Sequence, residues 1–120
     1  GAAPVKQIAG VKFASRILDG VPARELKGVA DALKAEIGSG AAVVISADDG
    51  KASIVVAVTE DLVGRISAVD LVRVGAAALG GKGGGGRPDM AQAGGPDSSK
   101  ADDAVAAIEA ALSETVPAAS

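Results

Sequence analysis

The stretch from Ala41 to Val58 reads AAVVISADDGKASIVVAV, and it decides how the rest of the chain is arranged. Its two apolar halves, Ala41 to Ala47 and Ala52 to Val58, are rich in Val and Ile and are separated by Asp-Asp-Gly-Lys. Such runs favour strands, and an Asp-Gly pair favours the tight turn of a hairpin. We therefore predict two paired strands. Because both runs are apolar almost throughout, we expect both faces of the pair to be covered.

A strand and a helix are predicted before this hairpin. Ile8 to Leu18 shows a partly alternating pattern, which predicts one strand ending at an Asp-Gly turn. Pro22 is placed for the first turn of a helix, and Gly38 is placed for its end. Between them, one apolar stripe recurs at helical spacing: Leu26, Val29, Ala30, Leu33 and Ile37.

Two further helices are predicted after the hairpin. Residues 59–64 suggest a short helical turn, and Ser67 with Asp70 three residues later resembles a helix-start box. That helix would end at Gly80, with Leu71, Val72, Gly75 and Leu79 facing inward. The last helix would start at Asp97 or Ser98, stop at Pro117 and bury Val105, Ile108 and Leu112. The expected fold is α/β: one domain over residues 1–120, with a small mixed sheet of three to five strands and about three helices.

Composition excludes several classes of function. The chain has 120 residues with no Cys and no His, so disulfides, thiolate nucleophiles, imidazole catalysis and the usual zinc ligand sets are excluded. No apolar run approaches the roughly 20 residues of a membrane span, and no signal peptide is visible. The absence of Cys suits a cytoplasmic protein. The start at Gly1 rather than Met hints at a fragment of a longer protein.

The charge is unevenly distributed along the chain. The net charge is -3, which argues against a strongly basic nucleic-acid binder. The acidic excess lies in the last twenty residues, which hold four carboxylates and no Lys or Arg. Phe13 is the only aromatic residue, so RNA bases cannot stack on Tyr, Trp or His as they do in most sequence-specific RNA modules. The sequence is still compatible with a locally basic face that contacts phosphates and 2′-hydroxyls.

The segment from Gly80 to Pro96, GGKGGGGRPDMAQAGGP, has two interpretations. A glycine run is most often a flexible connector. Alternatively, successive glycines let backbone N–H groups converge on a phosphate, with Lys82 supplying a point charge and Arg87 a planar fork. A nucleotide P-loop is excluded because Gly83, rather than Ser or Thr, follows Lys82.

GGKGGGGRPDMAQAGG, Gly80 to Gly95, resembles the signature of the C-terminal, DHHA1-type domain of alanyl-tRNA synthetases, and the RPDMAQAGG part is specific. The helix, hairpin and second helix occur in the order which that family shows, so the resemblance covers Val5 to Leu112. It implies a tRNA-binding domain that contacts the outer corner of tRNA and supports aminoacylation and editing. The candidate RNA-binding residues are Lys82, Gly83, Gly84, Gly85, Gly86, Arg87, Asp89 and Gln92, with Asp89 and Gln92 ordering the loop or meeting RNA.

The same resemblance implies which functions belong to other domains of the synthetase. ATP, Mg and Zn would be bound by other domains of the synthetase, so no cofactor and no catalytic residue is expected here. The expected partners are the alanine-accepting tRNA, those other domains and a possible second copy in a homodimer. The module also resembles the accessory domain of DHH-type phosphoesterases, whose glycine loop carries a His that this chain lacks. A nucleotide-binding accessory domain and a dimerisation module therefore stay as alternatives.

The remaining polar clusters have ordinary interpretations. Asp48-Asp49 and Asp102-Asp103 are expected at a solvated turn and at a helix start, respectively. Arg65 and Arg73 are expected to face solvent, and Met90 to pack as an apolar anchor. Three cations of the first strand region could extend a basic face: Lys6, Lys12 and Arg16.

Overall fold

The predicted hairpin lies at the centre of one mixed sheet. The computed structural model describes residues 5–8, 10–48, 50–81 and 84–115. The strands are β1 (Val5–Ile8), β2 (Val11–Asp19), β3 (Gly40–Asp48), β4 (Lys51–Val58), β5 (Gly85–Arg87) and β6 (Met90–Gly95). The helices are α1 (Ala23–Ile37), α2 (Ala68–Ala78) and α3 (Ala101–Thr115), with short 3-10 helices at Glu60–Leu62 and Ser98–Lys100. The predicted α/β fold with three helices on a small mixed sheet is confirmed.

The strand order explains why the sheet is mixed. The order is β1-β2-β3-β4-β6-β5, and β2 and β3 form the parallel pair. Parallel neighbours need a crossover, which α1 provides between them. Over the described residues the sheet has six strands rather than three to five. The additional strands come from the hairpin before residue 11 and from the glycine-rich segment, neither of which was predicted as paired strands.

The strand predicted from Ile8 to Leu18 is confirmed from Val11 onward as β2, but its first residue, Ile8, belongs to a separate strand, β1. Gly10 has a φ of 83° and turns the chain between β1 and β2, which pair antiparallel. In this register Lys6 lies opposite Phe13, on the side of the sheet that faces α3, whereas Lys12 lies on the other side with Ala14. Lys6 accordingly forms an ion pair with Glu109 of α3 at 3.1 Å. Lys6, Lys12 and Arg16 therefore do not form one basic face.

Both faces of the β3–β4 pair are covered, as the apolar runs predict. On one face, α1 buries its stripe of Leu26, Ala30, Leu33 and Ile37 against Ala14, Ala42, Val44, Val55 and Ala57. On the other face, α2 and α3 bury Leu71, Val72, Ile108 and Leu112 against Phe13, Val43, Ile45, Ile54 and Val56. Neighbouring residues of β3 thus serve opposite cores, because successive side chains of a strand alternate in direction.

Helix ends follow the sequence signals with two exceptions. Gly38 has a φ of 75° and donates its N–H to the Lys34 carbonyl at 3.1 Å, as expected for a helix end. Pro22 precedes α1 as its N-cap residue instead of lying in the first turn. Ser67 precedes α2, but its side chain forms no capping hydrogen bond. The N–H of Ala68, the first residue of the helix, donates to the Pro88 carbonyl at 2.9 Å.

Candidate nucleic-acid interface

The glycine-rich segment is largely a hairpin built into the sheet. From Gly85 to Gly95 it forms β5, a two-residue turn and β6, which we call the glycine hairpin. β6 pairs with β4 on one side and with β5 on the other, and β5 is an edge strand. The flexible-connector interpretation is therefore wrong for these residues. Lys82 and Gly83 lie outside the described residues.

The turn of the glycine hairpin is anchored at both of its residues. The Asp89 carbonyl accepts the N–H of Val58 at 2.8 Å, and the Pro88 carbonyl accepts the N–H of Ala68 at 2.9 Å. The turn is thus tied to the end of β4 and to the start of α2. These hydrogen bonds pair backbone N–H groups at the end of β4 and at the start of α2 that would otherwise have no partner.

Arg87 precedes the turn, Asp89 lies in it, and the two form an ion pair. The Nε atom of Arg87 lies 3.4 Å from Oδ1 of Asp89, and the Arg87 side chain is 77% exposed. Such an exposed pair contributes at most about 1 kcal/mol to stability. Because a guanidinium has five N–H donors, one contact to Asp89 leaves others for a second acceptor. Asp89 thus restrains the Arg87 side chain through one contact, whereas its two predicted roles, ordering the loop or meeting RNA, stay predictions.

The register places two predicted residues on the same face. Arg87 lies opposite Met90, and Gly85 lies opposite Gln92. Met90 packs against the core beneath α1, so Arg87 and Gln92 both lie on the α1 side of the sheet. Gln92 is exposed although its strand is internal. Met90 is partly buried against that core, which agrees with its predicted role as an apolar anchor.

The glycines at positions 84 to 86 differ in what a side chain at each position would contact. A Cβ on Gly84 would lie 2.9 Å from Cβ of Ala93, and a Cβ on Gly86 would lie 2.6 Å from the Met90 carbonyl oxygen. Both also have positive φ, 117° and 146°. Because these two glycines have no Cβ, the neighbouring strand β6 can lie close to them. A Cβ on Gly85 would meet nothing within 4 Å, so only this one of the three leaves open space beside the backbone.

Arg73 contacts this region although we expected it only to face solvent. Its Nε donates to the Gly84 carbonyl at 3.4 Å, while the side chain remains at the exposed surface of α2. Sequence patterns do not reveal such a contact, because it depends on the glycine hairpin folding back beside α2. Arg65 is exposed, as expected.

The carboxylates show ordinary structural roles. A hydrogen bond from the Ser99 hydroxyl, followed by one from the Ser99 N–H, lowers the pKa of Asp97 from its usual 3.8. Hydrogen bonds from Ser39 and Thr59 likewise lower the pKa of Asp61. Within the described ranges, no group of three or more acidic side chains is placed to hold a metal ion. Asp48, Asp102 and Asp103 are exposed, and the latter two lie in the first turn of α3.

Among the residues that the structure describes, no helix is both long enough and apolar enough to cross a bilayer.

Comparisons with known proteins agree on one family. The sequence model of the DHHA1 domain matches residues 10–114. The alanine–tRNA ligase of Paramagnetospirillum magneticum is 63% identical over 110 residues, which cover 92% of this chain and 12% of the ligase. That of Mesorhizobium japonicum is 66% identical over 106 residues, covering 88% of the chain and 12% of the ligase. The chain thus spans about an eighth of the length of these curated relatives.

A solved structure has the same fold. The crystal structure of the C-Ala domain from Aquifex aeolicus alanyl-tRNA synthetase superposes with a TM-score of 0.85 at 26% sequence identity. The match covers 92% of this chain and 98% of that domain.

Proposed function

The chain belongs to the DHHA1 domain family, and from that premise we propose that it is a non-catalytic tRNA-binding domain of an alanine–tRNA ligase. The observation that carries this proposal is the 63% identity, over 92% of the chain, to a segment of such a ligase. The named relatives are ligases, which favours this function over that of a phosphoesterase accessory domain. The domain would bind the outer corner of tRNA and thereby support aminoacylation and editing by the remainder of the enzyme.

In this proposal Arg87 is a contact to the RNA backbone. It is 77% exposed, it is oriented by Asp89, and it belongs to the edge strand of the sheet. An edge strand presents unpaired backbone N–H groups, which can donate to the same phosphate that the guanidinium binds. Lys82 and Gly83 precede this strand in the sequence, and we retain them as proposed contacts on the family resemblance alone.

The composition supports recognition by shape and backbone. With no Tyr, Trp or His, the chain lacks the rings on which RNA modules usually stack bases. Phosphate and 2′-hydroxyl contacts suit the corner of tRNA, which many tRNAs share. Selection of the alanine acceptor, and the binding of ATP, Mg and Zn, would then belong to other domains of a cytoplasmic ligase. Those domains and the tRNA are the proposed partners.

The test is a titration of the chain with tRNA at low salt, repeated at several salt concentrations. Arg87→Ala should weaken binding and reduce the slope of log affinity against log salt by about one, because one phosphate contact is lost. Circular dichroism should show an unchanged fold, since Arg87 is exposed.

Lys12→Ala is the matched control. It also removes one exposed positive charge, but from β2, four strand spacings or roughly 19 Å from β5 across the sheet. That separation exceeds the Debye length of about 10 Å at 0.1 M salt, so in the titrations at and above this concentration the control should leave the affinity and slope unchanged. Equal effects of the two variants would show that net charge alone matters. No binding of tRNA by the unaltered chain would contradict the proposed function itself.

A further inference from the structure

The α1 side of the sheet is only partly covered. α1 packs against β2, β3 and β4, and the sheet continues beyond it into β6 and β5. A groove of about 400 Å³ lies where the start of α1 faces β4 and β6. Its lining includes Arg24 and Leu26 from α1, Ser53 and Val55 from β4, and Gln92 from β6. We call it the α1–β6 groove.

The groove has a polar rim. Leu26 and Val55 are 0% and 1% exposed, so they support the groove from beneath without presenting a surface to a ligand. Arg24 and Gln92 are exposed at opposite sides, and Ser53 is half-buried between them. No carboxylate is among the described residues that line the groove. The lining therefore disfavours a cationic ligand and suits a small ligand that carries hydrogen-bonding edges and a negative group.

The polar groups of the rim have unused hydrogen-bonding capacity. Neither the amide of Gln92 nor the guanidinium of Arg24 has a hydrogen-bond or ion-pair partner among the described residues. A carboxamide carries two donors and one acceptor, the combination that pairs with the edge of a nucleobase. A guanidinium binds phosphate through parallel N–H groups. The volume is within the range of about 300–1,000 Å³ that is usual for small-ligand sites.

The wall that carries Arg24 is held in a defined position. Ser46, buried in β3, accepts a hydrogen bond from the Val21 N–H at 3.1 Å and donates one to the Val21 carbonyl at 2.7 Å. These two bonds fix the chain immediately before α1, and β6 on the other wall is paired along both edges. The groove is thus formed between elements that are ordered before any ligand arrives, which reduces the entropic cost of binding.

We propose that the α1–β6 groove binds one unstacked nucleotide of the RNA, with its base beside Gln92 and Ser53. Gln92 donates to and accepts from the edge of the base, and Arg24 binds the adjoining phosphate. This inference rests on the proposed function and adds a base contact to it. Gln92 lies on the same face as Arg87, one strand across and two residues along, or roughly 8 Å away. A nucleotide held by Gln92 is therefore next to the phosphate contact proposed for Arg87.

The first test is an NMR titration of the ¹⁵N-labelled chain with each nucleoside 5′-monophosphate and, separately, with inorganic phosphate. The nucleotides should shift the side-chain amide of Gln92 and the backbone amides of Leu26 and Ser53. Inorganic phosphate should leave the Gln92 amide unshifted, because it supplies no base. Absence of nucleotide-induced shifts at these groups, or the same shifts with phosphate alone, would overturn the proposal.

The second test separates the base contact from the phosphate contact in tRNA binding. Gln92→Ala should weaken tRNA binding about threefold to tenfold without changing the salt slope, because a neutral hydrogen bond is lost. Arg24→Gln should reduce the slope by about one. The matched controls are Gln7→Ala, an exposed amide on the opposite edge strand, and Lys12→Gln; both should behave as the unaltered chain.

The outcomes distinguish this inference from the proposed function. If tRNA binding is weakened by Arg87→Ala but not by Gln92→Ala or Arg24→Gln, the groove does not bind the RNA and the proposed function stands. If the monophosphates occupy the groove while the unaltered chain does not bind tRNA, the groove is a nucleotide site and the tRNA function is wrong.

Discussion

A pair of alanine substitutions in β5 tests whether the glycines serve packing inside the protein. In Gly86→Ala the new Cβ would lie 2.6 Å from the Met90 carbonyl oxygen and 2.8 Å from Cα of Ala91, at a φ of 146°. Both neighbours are backbone atoms of the paired strand, so the pairing itself must shift. In Gly85→Ala the new Cβ would meet no atom within 4 Å, and φ is outside the left-handed region.

The two substitutions should differ clearly in their effect on stability. Forcing an atom into a packed site costs about 1–3 kcal/mol, and a strained φ adds about 1–2 kcal/mol, so Gly86→Ala should lose about 2–5 kcal/mol. Gly85→Ala should be neutral or stabilising by up to about 1 kcal/mol, because alanine restricts the unfolded chain. With a denaturant slope of about 2 kcal/mol per molar urea, the Gly86→Ala midpoint should fall by about 1–2.5 M.

The assay is urea unfolding followed by far-UV circular dichroism, since the chain has no Trp or Tyr for fluorescence. Equal midpoints for the two variants would refute the assignment of Gly86 to packing.

The same pair of variants also separates packing from RNA contact in the tRNA titration. A binding defect in a Gly84 or Gly86 variant would be confounded by loss of structure, whereas Gly85→Ala adds a methyl group beside the backbone on the face of Gln92. A folded Gly85→Ala variant with weakened tRNA binding would indicate close backbone approach.

Three further predictions concern the core, the chemistry and the pH dependence. Leu33→Ala should cost about 2–4 kcal/mol in the same unfolding assay, because Leu33 is 3% exposed in the α1 core; an unchanged midpoint would contradict its burial. The chain should show neither alanine-dependent pyrophosphate exchange with ATP nor hydrolysis of mischarged tRNA, and either activity would disprove the non-catalytic assignment. Because folding lowers the pKa of Asp97, this carboxylate contributes its full stabilising effect when the pH is above its ordinary pKa. The effect is lost as the pH falls through the lowered pKa of the folded protein. Asp97→Asn keeps an acceptor but cannot titrate, so its stability should fall less than that of the unaltered chain between about pH 7 and pH 3; parallel losses would show that Asp97 does not contribute.

Local pattern was sufficient for the elements whose signals lie within a few residues. The α1 stripe repeats at helical spacing, Gly38 provides the left-handed end, and the Asp-Gly turn joins two runs of β-branched residues. The family resemblance likewise depends on the contiguous string from Arg87 to Gly95. Each of these features reflects short-range geometry, which a sequence displays directly.

Tertiary structure alone decided the strand identity of the glycine hairpin and the arrangement of the candidate site. Met90–Gly95 contains no β-branched residue, so its intrinsic preference is weak; it is a strand because β4 and β5 pair with it and because Gly95 allows close approach to Leu79. The turn at Gly10 placed Lys6 and Lys12 on opposite faces, and the β5–β6 register placed Arg87 and Gln92 on the same face. Strand pairing joins residues distant in sequence, and a shift of one residue reverses the face on which each side chain lies.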